Sequence, residues 1–388
     1  MATGQGLPVL KVGDYDQAYL EALKAARFPP QMSIDAIRYE SHQPPLYYLL
    51  AAPVYRLTTF LSLEQQVVAL RLLSLVLGAL LLVMAYVLAA RVFPNLVALG
   101  TAAFMAAVPQ HTAMTAAINN DTLAELVLAT FLFLAVTALQ EQRQGRIKEG
   151  TSLALGLTLG LALLTKTTIY IVLLLVPLPF VLGAGRAPSQ SHWLRLGGIY
   201  LLGLGISGWW FLRNVLIYGL ADLTGLTRHD MVVVGQPIPG VFDLAMARHL
   251  VTVGFKSFWV QLGWMGVPAD RGTYIVFGLL SVVALLGCIL FLARARSETM
   301  TSLQRSALLI MIATIALVFL SMLYYNLRYI QPQGRYLFPA LVPLSLFSVL
   351  GLRELLSTRH QSLLFILLFG GLFLLEGDVA RRLIPFLQ

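Results

Sequence analysis

The sequence has little charge and a single cysteine. Charged residues make up 12% of its 388 residues and hydrophobic residues 58%, and the mean hydropathy is +0.78. Soluble domains contain about a quarter charged residues, so this composition excludes a water-soluble fold. Because Cys288 stands alone, an intrachain disulfide and a thiolate metal cluster are also excluded. Alternation typical of the strands of an outer-membrane barrel is absent as well.

The hydrophobic residues occur in runs close to the length of about 20 residues that a bilayer-spanning helix needs. Helices satisfy their own backbone hydrogen bonds in lipid, so the sequence predicts an all-α, polytopic membrane helical bundle. Lys166 interrupts the long stretch 153–182, which we therefore divide into two helices. The predicted spans, about ten in all, are 67–92, 96–117, 122–139, 153–164, 169–182, 194–217, 274–292, 306–323, 337–352 and 362–375.

The net charge of +9 lies in short loops between the predicted spans rather than on one face, so it does not predict nucleic-acid binding. Most loop cations fall on one side of the spans, which the positive-inside rule makes cytoplasmic. The sequence therefore predicts a multi-pass protein of the cell (plasma) membrane. The loop 218–273 and the turns at 119–121, 166 and 324–336 lie on the opposite side, so an active face would look outward.

Three stretches favour helices that lie in the outer interface rather than across the membrane, namely 16–26, 46–61 and 241–258. They carry too many charges, or a proline and an arginine, to span. We accordingly predict two regions. Residues 1–65 form an outer-face loop with interfacial helices, and residues 66–388 form the transmembrane bundle, including the outer loop 218–273.

Ionisable residues at the outer ends of spans are costly to keep there and are candidates for function. Glu40, His42 and Gln43 precede the rigid pair Pro44 and Pro45. A proline-started helix with an aromatic belt would explain the prolines, but it leaves the acid and the imidazole unexplained.

Asp121 ends the run Asn-Asn-Asp at 119–121 and opens the third predicted span. Thr122 and Glu125 have the spacing of a capping box, so helix capping explains this run as well as a functional acid does. His111 lies about two helical turns back, across the preceding turn, and favours function.

Cations and aromatic residues recur at other outer span ends. Lys166 lies among threonines at a turn, where it either holds a phosphate or snorkels to lipid headgroups. Arg213 and Asn214 close an aromatic-rich span end. Lys256 and Trp259 could equally stack on a sugar ring or anchor in headgroups.

Gln333, Arg335 and Tyr336 stand immediately before the ninth predicted span. The arginine fork suits a phosphate or pyrophosphate. Together with the acids, these cations fit an anionic, lipid-linked substrate. Cations would stabilise a phosphate leaving group, and a carboxylate would accept the proton of an acceptor hydroxyl.

The ordered set of motifs resembles the GT-C superfamily of membrane glycosyltransferases, in particular bacterial protein mannosyltransferases and lipid A aminoarabinose transferase. The matching segments are HQPPLYY at 42–48, RLLS at 71–74, NND at 119–121, LTK at 164–166, WFLRN at 210–214, SFW at 257–259 and QGRYLFP at 333–339. The resemblance implies transfer of a sugar from a polyprenyl-phosphate donor, with inversion, to a glycan, lipid or protein acceptor on the outer face. Membrane lipid and the lipid-linked sugar are then the expected partners.

The resemblance also implies roles for individual residues. Lys166, Arg213 and Arg335 would face the lipid phosphate. Glu40 and His42 would shape the sugar pocket. In the same way, Asp121 would support or contact the site.

The sequence departs from the family pattern at its start. Members usually begin with a helix, followed by an outer loop whose acidic pair serves as base or metal ligand. That helix and a clear Asp-Glu pair are absent here, and only a piece of the outer loop is left. Residues 1–45 are predicted to lie outside without an apolar anchor, so we expect a chain that lacks its first helix, and its activity in this form stays open. Asp14 and Asp16 are substitute candidates for the base, although a solvated helix also explains Asp16.

The carboxylates are too dispersed to predict a cofactor with certainty, so a divalent metal, Mg or Mn, stays open. Two other function classes also stay open. A lipid-carrier flippase or transporter would hold cations toward a phosphate, but usually places them at mid-membrane in symmetric halves. A non-catalytic protein that binds lipid-linked sugar would share every motif.

Overall fold

The computed structural model describes residues 17–27, 29–33, 42–145, 147–183, 190–227, 229, 243–263, 265–294, 300–356 and 359–387. These residues are almost entirely helical, and the strands among them form one short antiparallel hairpin of β1 (Gln261–Leu262) and β2 (Val267–Pro268). The predicted all-α class is confirmed.

The α-helices in chain order are α1 (Gln17–Ala25), α2 (Leu46–Leu57), α3 (Leu63–Ala90), α4 (Asn95–Ala106), α5 (Pro109–Thr115), α6 (Asp121–Arg143), α7 (Glu149–Thr165), α8 (Val172–Leu175), α9 (Leu178–Gly183), α10 (Gln190–Tyr218), α11 (Leu244–Trp259), α12 (Arg271–Arg294), α13 (Ser302–Arg328), α14 (Leu341–Leu355) and α15 (Gln361–Leu383). Short 3-10 helices cover Thr167–Ile169, Gly334–Ala340 and Ile384–Leu387.

Seven helical segments in the described chain are long and apolar enough to cross a membrane, and three shorter apolar segments accompany them. These segments lie where the spans were predicted. The shorter ones, Asn95–Ala106, Glu149–Thr165 and Thr167–Gly183, are too short to count as full spans by length and composition. Seven of the ten predicted spans thus correspond to helical segments of full spanning length, and three correspond to shorter segments.

Prolines explain two of the differences. The predicted span 96–117 is two helices, because Val108 is extended before Pro109, which starts α5. The predicted span 169–182 is broken into α8 and α9 near Pro177. The division at Lys166 is confirmed, since α7 ends at Thr165 and Lys166 has an extended backbone.

α6 forms the centre of the bundle, with the largest buried fraction among the seven long apolar helices. It packs against α3, α7 and α9, while α7 packs along α10 and α12 along α14. The 3-10 helix Gly334–Ala340 contacts α5, α6, α11 and α13. This arrangement brings the start of α6, the turn after α7 and the segment before α14 to the same end of the bundle.

Candidate functional site

Asp121 and Lys166 form an ion pair at the start of α6. The Lys166 ammonium also donates a hydrogen bond to Asn120 Oδ1 at 2.9 Å. Asn119 in turn accepts from the Asp121 backbone N–H at 3.0 Å, which fixes the turn before the helix. Both partners of the ion pair are partly exposed, at 29% for Asp121 and 19% for Lys166. Of the three ammonium hydrogens, one is therefore left for a ligand.

Arg335 adds a second cation to this pair. It lies in the 3-10 helix Gly334–Ala340, and its guanidinium interacts electrostatically with Asp121. Its Nη1 approaches Met114 Sδ at 3.7 Å, and its Cζ lies 5.7 Å from the centre of the Tyr336 ring. Asp121 is thus paired with Lys166, and Arg335 acts electrostatically on the same carboxylate.

The position of Arg335 depends on the glycine before it. The Gly334 N–H donates to Ser257 Oγ at 2.8 Å, which joins this turn to α11. A Cβ at position 334 would lie 2.2 Å from Gly254 O and 2.3 Å from Phe258 N. Because both of these are backbone atoms of α11, they cannot move aside, and the close approach requires glycine.

Hydrogen bonds hold the rest of this turn. The Tyr336 O–H donates to Gln331 Oε1 at 3.0 Å, and the Tyr325 O–H donates to the same oxygen at 3.3 Å. The Gln333 carbonyl accepts from the Tyr336 N–H at 3.1 Å. Gln333 and Tyr336, both predicted to bind substrate, therefore lie beside Arg335 and stabilise its turn.

Of the two interpretations that the sequence leaves open for Glu125, the structure does not support the capping box. Its Oε2 lies 2.9 Å from His111 Nε2, and both side chains are 3% exposed. Asn120 is the N-cap of α6 and makes no side-chain capping bond. This pair is a site feature that the sequence reasoning missed, although the helical spacing of Glu125 from Asp121 was a usable signal.

Arg213 and Asn214 form a second group at the end of α10. Arg213 Nη1 donates to Asn214 Oδ1 at 2.8 Å, and the guanidinium lies between the rings of Trp210 and Tyr218, 4.7 and 5.5 Å from their centres. Asn214 is fully buried and donates to the Leu223 carbonyl at 2.9 Å. Asn214 therefore ties the chain after α10 back onto the helix.

His42 packs against this second group. Its ring centre is 4.7 Å from that of His229, and a Cβ at Gly225 would lie 2.5 Å from His42 Cβ. Gln43 follows it and is half-buried. The centre of the Tyr170 ring lies 6.2 Å from that of the Phe211 ring in α10, so the Lys166 turn lies beside the same helix end. The two groups are neighbours.

Lys256 and Trp259 lie elsewhere on α11. The Lys256 ammonium is 5.4 Å from the centre of the Tyr274 ring. Trp259 is 4% exposed, and its ring stacks on Phe277 at 4.4 Å. A ring buried in the apolar core does not present a face to a sugar, so the structure corrects the stacking interpretation of Trp259.

The remaining predicted acids, Asp14, Asp16 and Glu40, lie outside the described residues, as does part of the predicted outer loop. Within the described part of the chain, no group of three His, Cys, Asp or Glu side chains could hold a metal ion.

Comparisons with known proteins found one matching family model and several solved structures of similar fold. Residues 42–211 match the family described as dolichyl-phosphate-mannose-protein mannosyltransferase. ArnT from Cupriavidus metallidurans bound to undecaprenyl phosphate has a similar fold, with a TM-score of 0.50 and 18% identity over 85% of this chain and 53% of that one. The Archaeoglobus fulgidus oligosaccharyltransferase in complex with Zn and sulfate gives a TM-score of 0.51 and 16% identity over 85% of this chain and 43% of that one.

The chain shares its fold with these two solved structures, and the family model matches its residues 42–211, fewer than half of its 388 residues. The chain spans about half the length of these solved structures, at 53% and 43%. A search of curated proteins gave no match.

The family match covers only part of the candidate site. It begins at His42, contains Asp121 and Lys166, and ends at Phe211. Arg335 lies beyond it and comes to Asp121 through tertiary structure. The Tyr47 and Ser74 hydroxyls, 3.2 Å apart, join two of the GT-C motif segments.

Proposed function

We propose that the chain transfers a sugar from a polyprenyl-phosphate donor to a glycan, lipid or protein acceptor at the outer face of the plasma membrane. The observation that carries this proposal is the convergence of Lys166 and Arg335 on Asp121 at one end of the bundle. Support comes from the family match over residues 42–211 and from ArnT, a protein of similar fold whose structure is bound to undecaprenyl phosphate.

Lys166 and Arg335 bind the donor phosphate in this proposal. The free hydrogen of the Lys166 ammonium and the guanidinium fork of Arg335 reach phosphate oxygens without releasing Asp121. Negative charge develops on the phosphate as its bond to the sugar carbon C1 breaks. Fixed cations stabilise that charge more in the transition state than in the ground state, which accelerates the step.

The acceptor hydroxyl oxygen forms the new bond to C1 on the opposite face of the sugar, and its proton passes to a carboxylate. Lys166 already engages Asp121 Oδ1, so we assign Asp121 to holding the cations rather than to taking this proton. Asp14, Asp16 and Glu40 stay the candidates for the base. A requirement for Mg or Mn stays part of the proposal and is tested by adding chelator to the assay.

Sugar release from a panel of polyprenyl-phosphate sugars tests the proposal. Lys166→Ala and Arg335→Ala should each lower kcat/KM by at least about 100-fold, as loss of one charge-stabilising donor does in other enzymes. Arg294→Ala is a matched control, because Arg294 pairs with Glu354 where α12 and α14 end, at the opposite end of the bundle from Lys166. Its activity should equal that of the wild type.

Two results would contradict transfer. Donor binding without turnover under every condition would favour a non-catalytic binding protein. Movement of intact donor across a bilayer, without sugar release, would favour a flippase. Full activity of Arg335→Ala would remove Arg335 from the phosphate site while leaving the transferase proposal to stand on Lys166.

A further inference from the structure

The pair of His111 and Glu125 lies directly beside the proposed phosphate site and has no role in the mechanism above. His111 Nε2 and Glu125 Oε2 are 2.9 Å apart and both side chains are buried. The imidazole ring is nearly perpendicular to the Phe338 ring, with 5.3 Å between the ring centres. Phe338 belongs to the same 3-10 helix as Arg335. A buried carboxylate is costly unless it is paired or protonated, so this pair needs a physical account.

Glu125 lies one helical turn after Asp121 on α6 and interacts electrostatically with both Asp121 and Lys166. An ionised Glu125 without a partner would therefore compete with a donor phosphate for Lys166. It would also repel the phosphate directly, since like charges at short range in a buried site interact strongly.

The acids around the site would outnumber its cations if every acid were ionised. Glu376 of α15 bonds to Thr112 and interacts with His111, which adds a third acid to Asp121 and Glu125. The cations facing this group are Lys166 and Arg335. Three ionised carboxylates would outnumber two cations, and such a site would not attract an anion.

We propose that His111 and Glu125 share one proton and so form a neutral pair that keeps Lys166 available for the donor phosphate. His111 is then a positioning residue that acts through Glu125. The inference rests on the proposed function, because it assumes that Lys166 binds phosphate. The shared proton needs the His111 ring to hold it, so without that ring Glu125 is ionised and the site carries one more negative charge.

The test is a double-mutant cycle read as affinity for undecaprenyl phosphate and dolichyl phosphate, with the full chain in detergent. His111→Gln keeps an N–H within reach of Glu125 but cannot carry the extra proton. It should weaken binding by about tenfold, in line with measured couplings between close charge pairs. Glu125→Gln should bind at least as tightly as the wild type, because it removes the competing anion.

The double variant distinguishes a shared proton from a purely structural role of the pair. With both residues changed to Gln, no buried charge remains and an amide hydrogen bond can replace the original one, so binding should return to the wild-type level. If the pair only braced α5 against α6, each single variant would weaken binding and the double variant would not recover.

His192→Gln is the matched control. His192 is also a hydrogen-bonded histidine, 2.5 Å from Gln142. Gln142 lies about 30 Å from Asp121 along α6, given the rise per residue of a helix. This variant should bind like the wild type.

The outcomes separate the two proposals. Absence of binding by the wild type would overturn both the proposed function and this inference. If the wild type binds and His111→Gln binds equally well, the inference alone is overturned. The same holds if the double variant does not recover binding while its Tm stays at the wild-type value.

Discussion

Asp121 is the residue on which the interpretation of the site turns. A general base must have a free oxygen within hydrogen-bond reach of the acceptor hydroxyl. Asp121 Oδ1 is bonded to Lys166, and Arg335 acts on the same carboxylate. This geometry favours a carboxylate that orients two cations over one that takes a proton.

Asp121→Asn separates these two roles. The amide oxygen can still accept the hydrogen bond from Lys166, so we expect kcat to fall by no more than about tenfold, whereas loss of a general base costs about 100-fold or more. Asp121→Ala leaves Lys166 without that acceptor and should lose more activity than Asp121→Asn. The measurement is kcat and KM for both variants with one polyprenyl-phosphate sugar.

Equal losses in the two variants, both of about 1,000-fold, would identify Asp121 as the base instead. The Tm of each variant in detergent shows whether a loss of activity reflects unfolding.

At the scale of elements, the contact between α11 and the 3-10 helix Gly334–Ala340 sets the position of Arg335. The two segments meet backbone to backbone at Gly334, where the Ser257 hydroxyl accepts the Gly334 N–H. Ser257 itself donates to the Val253 carbonyl at 2.6 Å, so its hydroxyl serves both segments. The geometry of the candidate site thus depends on a helix that the sequence predicts to lie in the interface.

Gly334→Ala tests this dependence. Its Cβ would lie 2.2 Å from Gly254 O, so the two segments must separate and Arg335 must move. We expect a loss of about 1–3 kcal/mol in stability, typical of overpacking, together with at least about tenfold weaker donor binding. Gly370→Ala is the control, because nothing lies within 4 Å of its Cβ in α15. That variant should bind donor normally, and normal binding by Gly334→Ala would refute the dependence.

Hydropathy and turn chemistry predicted most of these elements because long apolar helices carry a strong local signal. The break at Lys166 was predictable, since a lone cation between apolar runs has no place inside a span. The separation of α4 from α5 at Pro109 was missed, because the apolar run continues through it. The prediction gave more weight to the apolar pattern than to the restriction that a proline places on the residue before it.

Residue environments were less predictable than elements. The spacing of Glu125 from Thr122 fits a capping box, but Glu125 pairs with a residue of another helix instead. Only the position of His111 on α5 decides between the two. Trp259 has the sequence context of an interfacial aromatic, yet its ring stacks on Phe277 from the next helix. Neither outcome is encoded within a few residues of the chain, so sequence reasoning alone could not choose.

At the scale of the whole molecule, α6 and α7 run in opposite directions between two sides. The Asp121 and Lys166 ends meet, while Arg143 at the other end of α6 bonds to Ser302 and Ser306 of α13 at 2.6 and 2.7 Å. The candidate site and the arginine-rich loops therefore occupy opposite ends of the bundle. The positive-inside rule therefore predicts that the site end faces outward.

Labelling single cysteines in intact spheroplasts with a membrane-impermeant maleimide tests this orientation. Cys288→Ala provides a background without thiols, since Cys288 is the single cysteine. Leu220 follows α10 at the site end and is 77% exposed, while the Lys148 side chain, at the other end, is 78% exposed. In that background, Leu220→Cys should react in intact spheroplasts, and Lys148→Cys only after the membrane is permeabilised.

The reverse pattern would place the phosphate site on the cytoplasmic side. Because a donor there would have to be consumed before its lipid carrier crossed the membrane, that pattern would remove outer-face transfer from the proposed function while leaving the roles of Lys166 and Arg335 intact.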